Sequence, residues 1–558
     1  MADVPRTIAE AAAQLRAGAV SSSELTAAAL RRAKALDPEL GAYARRFDDE
    51  ALAAAERADR ELAAGHDRGS LHGIPVAVKD VIASREGPTG AQSRAVEPSC
   101  WLGRDAPVVR RLRRAGAVIT GKLTTMEFAI GMPDHDAPFP FPRNPWDVNT
   151  WPGGSSSGAA IATAAGLIFA GLGTDTGGSI RIPAAFCGVT GLMPTLGRVP
   201  TSGVFPLGYS LDRVGPIARS ARDCATVLAA IAGPDPSDTS SSTQSVPDFG
   251  AQLDRDLVGL RIGVARPDVG TVEQDRAVAP QFEAVANTLA QAGARVQAVR
   301  LPYYAEGLAA ARITMLVEAL TYHRANLAAR PDDYAPSTRY VIAQGSLIPA
   351  ADYVQAQRVR RAVQTALTET FQQVDAVIMP TCATGAPEYS GLLGRVNAIA
   401  DVMEAVFTTY WNAVAHPVVA LPMGFTAAGL PLSVQVAGRP FEEATVLRVA
   451  DAVQQRTDWH LRVPSPLPVD RHPVAAPKTT AAVAGPDGSA HAAVRSALAR
   501  MGVSLPDAEK ELLANDVGPL AAMVESLRSL DAAEDHTPAL EFQTRPSRSR
   551  WWCDEPTQ

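Results

Sequence analysis

Cysteine and histidine are scarce in this chain. The five cysteines (Cys100, Cys187, Cys224, Cys382 and Cys553) show no C-x-x-C spacing. An odd, scattered set argues against a disulfide framework and fits a reducing compartment, which points to the cytoplasm. The nine histidines show no H-x-x-x-H or H-x-x-E-H pattern, so neither a metal site nor a cofactor is expected. Long hydrophobic runs are missing as well. The uncharged stretch Val148 to Thr174 is broken by Pro152, glycines and a serine cluster. Its apolar part, Ala159 to Leu172, falls short of the roughly 20 residues that span a bilayer and reads as a buried core helix. The opening MADVPRTIAEAAAQLRAG carries charges where the apolar core of a secretory leader should stand. Excess positive charge is absent too. Lys+Arg is 52 and Asp+Glu is 59, a net charge of −7, which disfavours a duplex-binding surface on the main body.

What is present is a globular composition. With 558 residues and 46% apolar content, the chain exceeds a single core, so one large domain with an appendage, or two domains, is expected. The 43 glycines and 43 prolines imply many tight turns. Residues 7–64 read as helices, with an N-cap at Ser21-Ser22-Ser23-Glu24. Strands are expected at Ile74 to Val78 and Ala117 to Thr120. Helices are expected at Pro107 to Ala115 and at Ala159 to Ala170, with loop over 131–157. After a polar Ser/Pro-rich loop at 234–248 comes a strand–helix–strand unit at 260–302. Long helices at about 303–329 and 351–373 follow, then strands at 375–380, 417–424 and 432–438 and a helix at 441–456. This alternation predicts an α/β fold, a sheet covered by helices on both faces. The body is assigned to 1–462, a Pro/Ala-rich linker to 463–489, and a helical extension with a polar tail to 490–558.

The densest chemistry lies in PGGSSSGAAIATAAG…GTDTGGSIRIPAAFCG, residues 152–188. Glycine-rich loops let backbone N–H groups approach a developing negative charge, and Gly177-Gly178-Ser179 puts a hydroxyl beside such donors. By composition alone the segment reads equally well as a flexible turn. Gly154 to Gly158 matches G-x-S-x-G by chance, because NTWPG before it is loop where a nucleophile elbow needs a buried strand. Gly116 to Leu123 resembles a P-loop but has Leu where Mg²⁺ binding needs Ser/Thr. A serine nucleophile needs a base. No histidine lies near these serines, and Lys79, at the end of the apolar strand IPVAV, is the candidate. Burial would favour its neutral form, although most lysines at strand ends are merely surface residues.

Taken together, HGIPVAVKDVI (72–82), GKLTTMEFAIG (121–131), NPWD (144–147), PGGSSSG (152–158) and GTDTGGSIRIPAAFCGVTGLMPT (173–195) resemble the amidase signature family, over about residues 7–462. The resemblance implies a mixed β-sheet core with helices on both sides and a Ser–cis-Ser–Lys triad. Mapped by motif, the lysine is Lys79, the bridging serine Ser155, preceded by a cis peptide, and the nucleophile Ser179. The amides of Thr176, Gly177, Gly178 and Ser179 resemble the family's oxyanion hole. Asp175 and Arg181 look like the pair that holds this loop. Met126, Phe128 and Ile130 are the substrate-pocket candidates.

The activity implied is hydrolysis of C–N bonds of small amides, with carbamates and esters in range, through a serine acyl-enzyme. The partner is a small-molecule amide, with no nucleic acid and no membrane, and a homodimer is left open. The alternative is the amidase subunit of a glutamyl-tRNA amidotransferase. Two departures stand out: Ser157 replaces a glycine of the common GGSSGG, and MPDHDAPFPFPR (132–143) is rich in Pro and Phe. Residues 502–542 resemble the small helical helper subunits that accompany some amidases, through helical periodicity and LRSLD…TPALEF. A plain helical hairpin fits the same residues.

Overall fold

The apolar run Pro75–Lys79 is buried at all five positions. A strand with no exposed face must be covered on both sides, and that requirement organises the whole chain. The computed structural model describes residues 5–97, 99–267, 272–465 and 488–530. Cys553, the polar tail and most of the expected linker lie outside them.

One sheet runs through the described residues. Its strands are β1 (Tyr43–Arg46), β2 (Pro75–Lys79), β3 (Val118–Leu123), β4 (Ala170–Asp175), β5 (Thr190–Met193) and β6 (Arg213–Ala218), then β7 (Arg261–Ala265), β8 (Arg295–Val299), β9 (Ala376–Pro380), β10 (Val418–Phe425) and β11 (Pro431–Gly438). Their order is β1-β3-β2-β4-β6-β5-β10-β11-β9-β7-β8. Pairing is mixed: β2 runs parallel to β3 and β4, and β7 to β8 and β9, while β10 and β11 form an antiparallel centre. The mixed α/β fold and the strand–helix–strand unit β7–β8, with its helix Val278–Gln291, are therefore as expected.

The differences are physical. The expected helix Ala159 to Ala170 is two elements. A helix spans Ser157–Ala164, and β4 begins at Ala170. Gly166 adopts a left-handed φ of 68°, and Leu167 N–H bonds back to Ala162 O at 2.8 Å, a glycine-centred helix stop. Within 7–64 the chain also inserts β1. That strand carries Arg45 and Arg46, and β4 and β6 carry Gly and Pro, so their strand signal was weak. Pairing inside a buried sheet overrides that local preference.

Of two C-terminal helices, Asp507–Arg528 packs on the long helices Tyr304–Ala329 and Ala350–Gln373 and on the short helix Pro336–Gln344, while Gly488–Met501 packs on Asp507–Arg528 and on the turn Gly345–Leu347. Leu505, Leu513, Leu520 and Leu527 are buried in the contact, with Met501, Leu512 and Met523 packed at its margin. No helix among the described residues is long and apolar enough to cross a membrane.

Candidate active site

The parallel register of β2 with β4 sets Val78 beside Leu172, so the two strands end on the same side of the sheet. Ligands in such sheets sit beyond the carboxyl ends of strands. Lys79 closes β2 and Thr174-Asp175 closes β4. The glycine loop 176–180 then leads into the helix Arg181–Cys187.

Lys79 is fully buried. Its Nζ lies 2.7 Å from Ser155 Oγ and 2.8 Å from Thr174 Oγ1. Burial pulls its pKa down to about 7, against the pull of the Asp175 and Asp212 carboxylates. A neutral amine here can donate to one hydroxyl and accept from the other.

Ser155 is buried, and the peptide bond Gly154–Ser155 is cis. A side chain on Gly154 would meet Met126 Sδ and force that methionine to move. Ser156 and Ser157 fasten the loop. Ser156 Oγ donates to Thr174 O at 3.1 Å, and Ser157 Oγ donates to Gly153 O at 2.7 Å. The serine that departs from the common pattern thus ties the start of its helix back to the glycine loop.

Ser179 is half-buried. Among the described residues no hydrogen bond joins the Ser155 and Ser179 hydroxyls. The two loops meet through the backbone instead, Ser156 N–H donating to Ser179 O at 3.1 Å.

Asp175 and Arg181 form a fully buried bidentate pair, with Nε and Nη2 each 3.0 Å from a carboxylate oxygen. Charge and hydrogen bonds from Arg181 and Asn412 hold Asp175 down to about 2 despite its burial. Asp175 also accepts from Gly178 N–H at 2.8 Å and from Ile180 N–H at 3.2 Å. Of the four amides expected to form the oxyanion hole, that of Gly178 donates to Asp175. Thr176, Gly177 and Ser179 keep amides that donate to no other group among the described residues. Gly178 has φ 135°, and a Cβ there would strike Thr408 Oγ1.

The three pocket candidates part ways. Met126 packs against Gly154 and donates its N–H to Ser155 O at 3.3 Å. It also lines a small cavity with the Pro/Phe-rich residues Phe139, Pro140 and Phe141. Phe128 turns into an aromatic group with Phe205, His323 and Tyr334, beside a separate cavity. Ile130 is buried in the core, its carbonyl accepting from Thr338 Oγ1. They do not line one pocket.

Several residues escaped the sequence reading. Thr174 is the second partner of Lys79. Asp212 accepts from Thr176 Oγ1 at 2.5 Å and from the amides of Leu207 and Gly208, so it steadies the oxyanion loop. From far along the chain, Thr408 donates to Gly177 O, and Asn412 and Gln435 accept from Arg181. Only Thr174 lay inside a motif, where its place next to Asp175 was a usable signal.

Comparison with known proteins bears on the family. The sequence model of the family described as Amidase matches residues 24–447. AmiD of Mycobacterium bovis, named as an amidase, is 40% identical over 82% of this chain and 95% of its own. A glutamyl-tRNA(Gln) amidotransferase subunit of a Roseiflexus strain is 39% identical over 83% of this chain and 99% of its own. The native peptide amidase of Stenotrophomonas maltophilia superimposes with a TM-score of 0.70 at 32% identity, covering 82% of this chain and 98% of that one. With motifs, fold and relatives in accord, the chain belongs to the amidase family, hydrolases that act on carbon–nitrogen bonds.

Proposed function

We propose that this amidase cleaves small-molecule amides through an acyl-enzyme on Ser179. The observation that carries the reading is the fully buried Lys79 amine, 2.7 Å from Ser155 Oγ and pulled to about 7. Neutral Lys79 takes a proton from Ser155, and Ser155 takes the proton of Ser179. Ser179 Oγ attacks the carbonyl carbon, and the amides of Thr176, Gly177 and Ser179 receive the oxyanion. Collapse of the tetrahedral intermediate breaks the C–N bond. Ser155 returns a proton to the leaving nitrogen, and water then cleaves the ester. We assign the body to 1–462 and the helical extension to 490–558. We place the enzyme in the cytoplasm on its buried free thiols Cys100, Cys187, Cys224 and Cys382.

Ser179→Ala tests the assignment. Turnover and labelling by a serine-directed fluorophosphonate should both vanish while thermal melting stays unchanged. Labelling retained at Ser155 overturns it. The relatives named as amidotransferase subunits support a second reading, in which released ammonia passes to a partner. Hydrolysis of a simple aryl amide by the chain purified alone decides for the free amidase.

A further inference from the structure

We propose that Glu509, on the C-terminal helix Asp507–Arg528, is a positioning residue for the active-site segment 126–132. The proposal rests on the site reading given above. The family match ends at residue 447, so this helix is an addition to the matched body.

The link is continuous. Glu509 is buried and grips Arg339 at 2.6–3.0 Å through Nε and Nη2. Two helical turns further on, Asp516 accepts from Tyr340 Oη and from Gln344 Nε2 at 2.8 Å. Together they fix one side of the helix Pro336–Gln344. The start of that helix holds the active-site segment. Ala335 N–H donates to the buried Glu127 carboxylate at 2.7 Å, and Ser337 Oγ accepts from Met132 N–H at 3.0 Å. Gly131 leaves no room for a side chain against Ser337 and Thr338. The segment then meets the chemistry, because Met126 packs on Gly154 and bonds Ser155 O.

A buried carboxylate and guanidinium stripped of one partner must move or find water. Loss of Glu509 leaves Arg339 with Pro331 O at 3.3 Å and Asp332 at 3.7 Å, removes the anchor at the start of the helix Pro336–Gln344 and, through Glu127 and Met132, loosens the support beneath Ser155. The same C-terminal helix supplies a control. Arg528 pairs with Asp352 at 2.7 Å on a different body helix, Ala350–Gln373, which has no part in this route.

The test compares Glu509→Ala with Arg528→Ala in the full chain, well below either melting temperature. An aryl amide is the substrate, and the fluorophosphonate counts folded sites. Expected for Glu509→Ala is a fall in kcat of about 10- to 100-fold, the scale of a misplacement near 1 Å, with full labelling stoichiometry. Glu509→Gln, which keeps a hydrogen bond to Arg339, should recover part of the loss. Arg528→Ala should lower melting and leave kcat unchanged. If both alanine variants change melting alone, the proposal fails. Should Glu509→Ala be insoluble, Asp516→Asn and Tyr340→Phe report on the same route, and unchanged kcat in both overturns it. Ser179→Ala separates the two readings: if that variant is dead and Glu509→Ala is fully active, only the positioning role is lost.

Discussion

Lys79 and Lys122 stand on neighbouring parallel strands, where the register sets Val78 beside Lys122 and Lys79 beside Leu123. Neither side chain reaches solvent. Burial pulls both down, Lys79 to about 7 and Lys122 to about 8. Their partners differ. Lys122 faces Ile82 O, Thr89 Oγ1 and, at 3.9 Å, the Asp80 carboxylate. The carbonyl and the carboxylate only accept hydrogen bonds and outnumber the one hydroxyl, so the Lys122 site suits an ammonium ion. Lys79 faces two hydroxyls, either of which can give a proton. Burial therefore does not make a lysine a base. The balance of its neighbours does: two hydroxyls around Lys79, against one hydroxyl with a carbonyl and a carboxylate around Lys122.

The largest expected effect breaks that comparison at its functional end. Lys79→Ala should lower kcat by about 10²- to 10⁴-fold, the usual worth of a positioned base. It leaves no carboxylate in direct contact unpaired, so equilibrium unfolding in urea should show stability unchanged or raised. Lys122→Met should do the reverse. It removes the cation nearest Asp80, which is buried and already pushed above the ordinary carboxylate range. The loss should be about 3 kcal/mol in the same urea titration, at the low end for a buried pair missing one partner, with kcat changed only a few-fold. Equal losses of kcat in the two variants would erase the distinction between them.

This contrast also marks how far the sequence could be read. Lys79, Ser155 and Ser179 could be named from the sequence because each sits in a motif of the amidase resemblance, and the structure adds the contact of Lys79 with Ser155. The sheet core was legible where strands are continuously apolar, as at Pro75–Lys79 and Ala376–Pro380. The strands β1, β4 and β6 were not, because Arg, Gly and Pro mask them and only pairing supplies their stability. Nor were the contacts that hold the glycine loop. Thr408, Asn412 and Gln435 reach it from more than two hundred residues away, and nothing in their own surroundings announces it. The Gly178 amide shows the limit most sharply. Its residue type suits an oxyanion donor, yet its N–H already serves Asp175.

The smallest expected effect sharpens the comparison without abolishing either lysine. The active form of Lys79 is the neutral amine. Its fraction grows as pH rises through about 7, so kcat/KM should climb from acid pH to a neutral-to-alkaline plateau. Asp175 and Asp212 both stabilise the ammonium ion and hold this limb up. Asp212→Asn removes one of those charges, so the limb should move toward lower pH. The plateau should also fall, because Thr176 loses its carboxylate acceptor, but position and height are read separately from the normalised profile. Lys122→Met should leave the position where it was. Glu127 and Asp212 are the rival titrating groups, since burial raises them to about 7 and about 6. A limb that follows Glu127→Gln and ignores Asp212→Asn would assign the titration to the carboxyl under the Met126 segment and remove Lys79 from the role of base. A limb that persists in Asp212→Asn, shifted acidward, and ignores Glu127→Gln places the titrating proton on the lysine that faces the two hydroxyls, whereas a limb that vanishes in Asp212→Asn assigns it to that carboxyl.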